Sequence, residues 1–147
     1  MTAAASYGER LAKRHMQVGW WWILGFLTLG IGLEWLHATK VPWYINEAFE
    51  SRRQLWTLAH AHGVLLGLVH IAFAATMGSY TAAAAKPMMM ASSSLNFAGV
   101  MMPAGFLLGG AVLEAGEPGP VILLASIGGV LLAVAVTLTA RITGRRS

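Results

Sequence analysis

The sequence predicts an all-α integral membrane protein, a bundle of four membrane-spanning helices. Three observations support this class. Hydrophobic residues make up 56% of the chain and charged residues only 11%. The mean hydropathy is +0.62, whereas an average soluble domain carries roughly 25% charged residues. The chain also contains four apolar segments near the length of about 20 residues that a helix needs to cross the hydrocarbon core.

The four predicted spans cover residues 18–36, 55–79, 88–113 and 120–139. They use nearly the whole chain, so residues 1–147 are expected to form a single transmembrane domain. The connections between spans are mostly short, which favours helices that run alternately up and down. The segment before residue 18 is interpreted as a cytoplasmic arm, and His15 belongs to it.

Positive charge predicts the orientation of the spans. If the spans alternate, most of the terminal and short-loop cations lie on one side: Arg10, Lys13, Arg14, Lys86, Arg141, Arg145 and Arg146. Cytoplasmic loops carry such an excess, so both termini are predicted to be cytoplasmic, in a bacterial inner membrane. The long loop 39–54 then lies outside. This topology accounts for the net charge of +4, and no nucleic-acid partner is inferred from it.

The most informative motif is His60-Ala61-His62-Gly63, inside the second span. Ionisable side chains within a membrane are costly, and they usually face the bundle interior or a cavity. Side chains two positions apart on a helix diverge by about 200°, so only one of these two histidines is expected to face a site. We favour His62, whose face continues as an apolar stripe at positions 66, 69 and 73. His60 is expected to form a hydrogen bond at a helix contact.

Other polar residues are expected at the same depth. Five from three helices are predicted near the outer surface: Glu34, His37, His60, His62 and Glu114. Glu34 and Glu114 are the candidate acid–base residues among them. His70 lies about 12 Å deeper than His62 along the same helix, and it is interpreted as a hydrogen-bonding residue between helices.

The string Leu58-Ala59-His60-Ala61-His62-Gly63-Val64-Leu65-Leu66-Gly67 resembles the second transmembrane helix of subunit I of the haem–copper oxidases. In that family a His-Gly string begins the helix on the outer side, and its histidine ligates the low-spin haem. The string is also similar to small four-span bacterial membrane proteins with a His-x-His motif. A four-span mutase that acts on aromatic hydroxylamines is similar in size and has a histidine in its second span. The match covers about 20 of the 147 residues.

The resemblance implies that His62 is an axial haem ligand in a small membrane protein. His60, His37 or the His62 of a second copy would supply the other ligand. Lys40, Arg52 and Arg53 lie on the appropriate side for the propionates. The oxidases take their remaining ligands from later helices, so the expected role here is electron transfer or sensing rather than oxygen reduction.

Three alternatives stay open from the residues alone. One is a cofactor-free membrane isomerase or mutase, in which His60 or His62 works with Glu34 or Glu114 as an acid–base pair. Another is a divalent-metal site of histidine and glutamate, with His62, His60 and His37 as ligands. The last is an accessory subunit of a larger membrane complex. The lipid bilayer is the expected partner in every case, with a second copy of the chain or a larger complex as further candidates.

Overall fold

The computed structural model describes residues 3–46, 50–77, 85–114 and 116–144. Its elements, in chain order, are α1 (Ala3–Ala38), α2 (Pro42–Ile45), α3 (Glu50–Met77), α4 (Ala85–Ala111), β1 (Leu113–Glu114), β2 (Glu117–Pro118) and α5 (Leu123–Gly144), and the 3-10 turn Pro120–Ile122 precedes α5. The side chains of residues 3–7 and of Glu114 are outside the description.

Among the described residues, four helical segments are long and apolar enough to cross a membrane. They are Gly8–Ala38, Glu50–Met77, Ala85–Ala111 and Pro120–Gly144, of 31, 28, 27 and 25 residues. Each exceeds the length of about 20 residues that a span requires. The predicted all-α class and the four membrane-length helices are therefore confirmed.

The assignment of His15 to an arm before the first span is wrong, because His15 lies inside the helix bundle. The first helix is continuous from Ala3 to Ala38, and His15 is fully buried in it. The helix continues because no Gly-Pro or similar signal interrupts residues 9–17, and because Leu11 and Ala12 pack against the core. Tertiary packing of one face holds a helix together even where its sequence is polar on the other face.

The helices pack in chain order, α1 against α3, α3 against α4 and α4 against α5. Glycines allow the closest approaches. A methyl group on Gly19 would lie 2.7 Å from the Gly67 carbonyl oxygen, and one on Gly128 would lie 2.7 Å from the Met102 nitrogen. Small residues at such contacts let the backbones of membrane helices approach each other.

The two central helices contain most of the buried residues. In the most apolar window of α3 and of α4, 39% and 44% of the residues are buried, against 17% in α1 and in α5. The core is formed chiefly by α3 and α4, through Leu66, Phe73, Met77, Met88, Leu95, Ala98 and Met102. The outer helices expose large apolar side chains such as Trp21, at 71%, and Val130, at 66%, as expected of surfaces that face lipid.

The third span ends earlier than predicted, which moves Glu114. Helix α4 ends at Ala111, and Glu114 lies in β1, where it pairs with Glu117 in a short antiparallel hairpin. The turn passes through Gly116, whose φ of 86° falls in the left-handed region that favours glycine. Glu114 is therefore in a hairpin and not at the end of a helix.

Candidate functional site

A pocket with several polar side chains in its wall lies where α1 ends and α3 begins, next to the short helix α2. Its volume is about 690 Å³, within the range of roughly 300–1,000 Å³ typical of small-molecule sites. Its walls are formed by Gly30, Leu33, Glu34, His37, Tyr44, Arg53, Gln54, Thr57, Leu58 and His60. We call it the outer pocket. Three of the five outer candidates, Glu34, His37 and His60, line this one pocket.

His60 is held by a hydrogen bond across the contact between α1 and α3. Its Nδ1 donates to the Phe26 carbonyl oxygen at 2.6 Å, so the proton of the neutral ring is on Nδ1 and the lone pair is on Nε2. The ring lies directly over Gly30, where a side chain of any size would overlap it. The predicted hydrogen bond of His60 at a helix contact is thus present, and the same residue also lines the pocket.

The charged residues of the pocket come from both sides of its opening. Glu34 and His37 are exposed and lie one turn apart on α1, so they share a helix face. Arg53 of α3 donates through Nη1 to the carbonyl oxygens of Tyr44 and Asn46, both at 3.1 Å. These two bonds attach α2 to the start of α3 and place a guanidinium at the pocket wall.

Tyr44 is the buried member of this group, with a side chain only 3% exposed. Burial raises the pKa of its phenol, the carboxylate of Glu34 raises that pKa further, and the guanidinium of Arg53 opposes both effects. Glu34 and Arg53 therefore act electrostatically on one phenol. A carboxylate, a guanidinium, a phenol and imidazoles thus line one open pocket.

His62 lies on a different face of α3. Its Nδ1 donates to the carbonyl oxygen of Leu58, one turn earlier, at 2.9 Å. Its ring contacts that of Phe106 on α4, with centroids 5.0 Å apart. The divergence of His60 and His62 expected from helix geometry is therefore observed, but the pocket is on the side of His60. The assignment of His62 as haem ligand stays a prediction.

A second cluster of polar residues lies deeper in the bundle, and sequence reasoning missed it as a group. The Nδ1 atoms of His15 and His70 are 2.7 Å apart, and Nε2 of His15 is 2.8 Å from the Ser92 hydroxyl oxygen. Both histidines are fully buried and Ser92 is 6% exposed. We call these three residues the inner triad. The interpretation of His70 as a hydrogen-bonding residue between helices is confirmed.

One signal in the sequence was available for the inner triad. His15 is near the start of α1 and His70 is near the end of α3. Because consecutive spans run in opposite directions, the start of α1 and the end of α3 lie at the same end of the bundle, and the two histidines become neighbours. The prediction failed because His15 was placed outside the membrane segment. Once α1 is extended to residue 8, His15 and His70 lie at the same depth.

No group of three or more histidine, aspartate or glutamate residues is arranged to hold a metal ion among the described residues. Comparison of the chain with protein-family models, with curated proteins and with solved structures gives no match. The inferences that follow therefore rest on the residues and geometry of this chain alone.

Proposed function

We propose that the chain is a small integral membrane protein that binds haem in the outer pocket and takes part in electron transfer or redox sensing. The observation that carries this proposal is the bond from His60 Nδ1 to the Phe26 carbonyl oxygen. Such a bond fixes the tautomer and the orientation of a ligating histidine, and leaves Nε2 to face the iron. Among the described residues, no hydrogen bond occupies Nε2 of His60.

The surroundings of His60 support the same assignment. His37 lies in the same pocket and is the second ligand that this chain would supply. Arg53 lies at the wall of the pocket, where a cation pairs with a propionate. Leu33 and Leu58 form apolar parts of the wall. A bound haem would supply reversible one-electron chemistry, and these residues would hold it and set its potential.

We further propose that the helices cross a bacterial inner membrane up and down in turn, with both termini in the cytoplasm. The basic residues in the first turns of α1, at the start of α4 and at the end of α5 support this orientation. The outer pocket would then open to the side opposite the cytoplasm. Reporter fusions at each end test this proposal, and a reporter found outside the cytoplasm at either terminus overturns it.

The haem proposal is tested by absorption spectroscopy of the purified protein, with haem supplied during expression. The wild type should show a Soret band that shifts on reduction. His60→Ala should lose the band or change its spin state, whereas His62→Ala should keep the wild-type spectrum. Loss of the band in His62→Ala alone would return the ligand to His62, as the resemblance implies. A colourless wild type that stays colourless on haem titration would overturn the proposal.

A cofactor-free isomerase is the second candidate, and the outer pocket favours it for a specific reason. His60 and Glu34 line the same 690 Å³ pocket. A proton-shifting reaction requires a base that takes a proton from the substrate and a protonated group that returns one, and a neutral imidazole as base with a protonated carboxyl as acid would meet that requirement. This candidate predicts a colourless protein in which Glu34→Gln and His60→Gln each abolish turnover of a small apolar substrate. A coloured protein whose activity is unaffected by Glu34→Gln would exclude it.

A further inference from the structure

The inner triad forms a continuous line of hydrogen bonds that joins three helices, α4, α1 and α3. It runs from the Ser92 hydroxyl on α4 to Nε2 of His15 on α1, and from Nδ1 of His15 to Nδ1 of His70 on α3. The distances of 2.8 and 2.7 Å are those of well-formed hydrogen bonds. Neither imidazole ring is exposed to solvent outside the bundle, since both are fully buried.

Two proton arrangements satisfy this line equally well. In the first, Ser92 donates to His15, His15 donates through Nδ1 to His70, and His70 carries its proton on Nε2. In the second, every donor and acceptor is reversed, and Nε2 of His70 carries a lone pair. Each neutral imidazole has one donor and one acceptor nitrogen, so a change at one ring forces a change at the other.

The line is incomplete at its His70 end. Nε2 of His70 is fully buried and has no hydrogen-bond partner among the described residues. The Leu95 carbonyl lies nearby without completing a hydrogen bond to it. An unsatisfied buried polar atom costs about 1–3 kcal/mol, and in native structures such atoms are usually satisfied by an ordered water.

A second polar nitrogen lies close to the same glycine. A methyl group on Gly99 would lie 3.2 Å from Nε2 of His70 and 3.2 Å from the indole nitrogen of Trp22. Both nitrogens therefore lie beside Gly99, at a position that an added methyl group would crowd. Pro103 is inside α4 and has no N–H to donate to the Gly99 carbonyl one turn before it.

We propose that the inner triad is a proton relay, and that its His70 end is served by a water molecule bound over Gly99 beside Trp22. The water would accept a hydrogen bond from the indole N–H and donate to, or accept from, Nε2 of His70. Two or more polar partners in a small space are what a buried water requires.

The relay moves one proton without creating a buried charge that persists. An excess proton on the bound water forms an N–H bond at Nε2 of His70 as the Nδ1–H bond of His70 breaks. That proton forms the Nδ1–H bond of His15 as its Nε2–H bond breaks. Ser92 accepts this last proton and passes its own hydroxyl proton to a water outside. The net result is one proton taken up at one end, one released at the other, and both rings in the opposite tautomer.

Resetting the relay requires either a return proton or rotation of both rings. Phe73 contacts the His15 ring edge-on, with centroids 4.7 Å apart, and the two imidazoles stack at 4.9 Å. Rotation is therefore hindered by packing. The relay is a shuttle that passes single protons back and forth, and it is not a channel that sustains a current.

The experiment is solid-state NMR of the full chain in lipid bilayers, with ¹⁵N-labelled histidine. The wild type should show ring signals of His15 and His70 averaged between protonated and unprotonated values, with a correlation between their Nδ1 nuclei. Magnetisation from water should reach Nε2 of His70. Ser92→Ala should abolish the averaging and leave one fixed tautomer, while the transfer from water to His70 persists.

Two variants test the bound water separately. Gly99→Ala fills the space over Gly99 and should abolish the transfer from water to His70. Trp22→Phe keeps a similar ring but removes the N–H donor, and it should weaken that transfer even if Gly99→Ala folds poorly. Gly25→Ala is the control, because its methyl group would contact nothing within 4 Å. Fixed tautomers in the wild type, no transfer from water, or averaging that survives in Ser92→Ala would each overturn the relay.

Discussion

His60 and His70 belong to the same helix and contact the same neighbouring helix, yet their surroundings are opposite. His70 is fully buried and bonded to another imidazole, whereas His60 is half-buried, bonded to a backbone carbonyl and open to a pocket. His70 has a side chain as hydrogen-bond partner in place of water, whereas His60 keeps its Nε2 without a hydrogen bond among the described residues. The comparison teaches that deeply buried polar side chains form hydrogen bonds with one another. A polar side chain near the surface can keep an atom available for a ligand.

The largest expected effect comes from the inner end. His70→Ala removes the ring that contacts His15 and leaves Nδ1 of His15 without a partner. The substitution should therefore lower the free energy of unfolding by about 3 kcal/mol. His62→Ala removes a half-buried ring bonded only within its own helix and should cost much less. Denaturant titration of both variants in detergent measures the difference. Equal stability of the two variants would contradict the view that the inner triad is the more stabilising cluster.

A smaller effect is expected at the close contact of α1 with α3 between the outer pocket and the inner triad, which we call the seam. A methyl group on Gly67 would lie 2.9 Å from the Gly19 carbonyl oxygen and 2.7 Å from Ile23. Because backbone cannot move aside cheaply, Gly67→Ala should destabilise the pairing of α1 with α3 by about 1–3 kcal/mol. Gly32→Ala is the matched control, since its methyl group would contact nothing within 4 Å. If both variants unfold alike, the seam is not as close as described.

The sequence predicted the helices well because hydrophobic length decides membrane spans with little help from tertiary structure. It predicted the sites less well. The opposite directions of His60 and His62 follow from helix periodicity, and they are observed. Which of the two faces a pocket depends on how α1 crosses α3, and the contact of His60 with Gly30 is a long-range feature. No local pattern encodes it.

The same reasoning explains the error at His15. Charged neighbours such as Lys13 and Arg14 suggested an arm in water, and these two side chains are indeed exposed. A helix with one polar face still buries the other face. Whether His15 is buried therefore depends on which face of α1 packs against the bundle. The contacts of α1 with α3 and α4 determine that face, and they cannot be read from the neighbours of His15 in the sequence.

A change within the outer pocket should be milder than either of the variants above. The three atoms nearest to a methyl group on Gly30 all belong to the ring of His60. This ring is a side chain and can swing into the pocket at the loss of its bond to Phe26. The expected cost is about 1 kcal/mol, with altered ligand binding as the more sensitive readout. Gly25→Ala on the same helix is the control. A loss of stability as large as that of Gly67→Ala would show that His60 has no freedom to move.

The smallest expected effect concerns the titration of Tyr44, and it sharpens the electrostatic description of the outer pocket. Burial and the Glu34 carboxylate raise the pKa of the Tyr44 phenol above its ordinary value of 10.0. The protonated phenol is therefore favoured by folding, and the stability that depends on it is present below pH 10. It declines as the pH rises above 10, where the unfolded chain loses its phenolic proton first.

Glu34→Gln should lower the pKa of Tyr44, and Arg53→Gln should raise it, because the two charges act with opposite signs. Ultraviolet difference titration resolves this phenol when wild type and Tyr44→Phe are compared. Shifts of the same sign in the two variants would mean that Glu34 and Arg53 do not act on Tyr44 from the pocket they share.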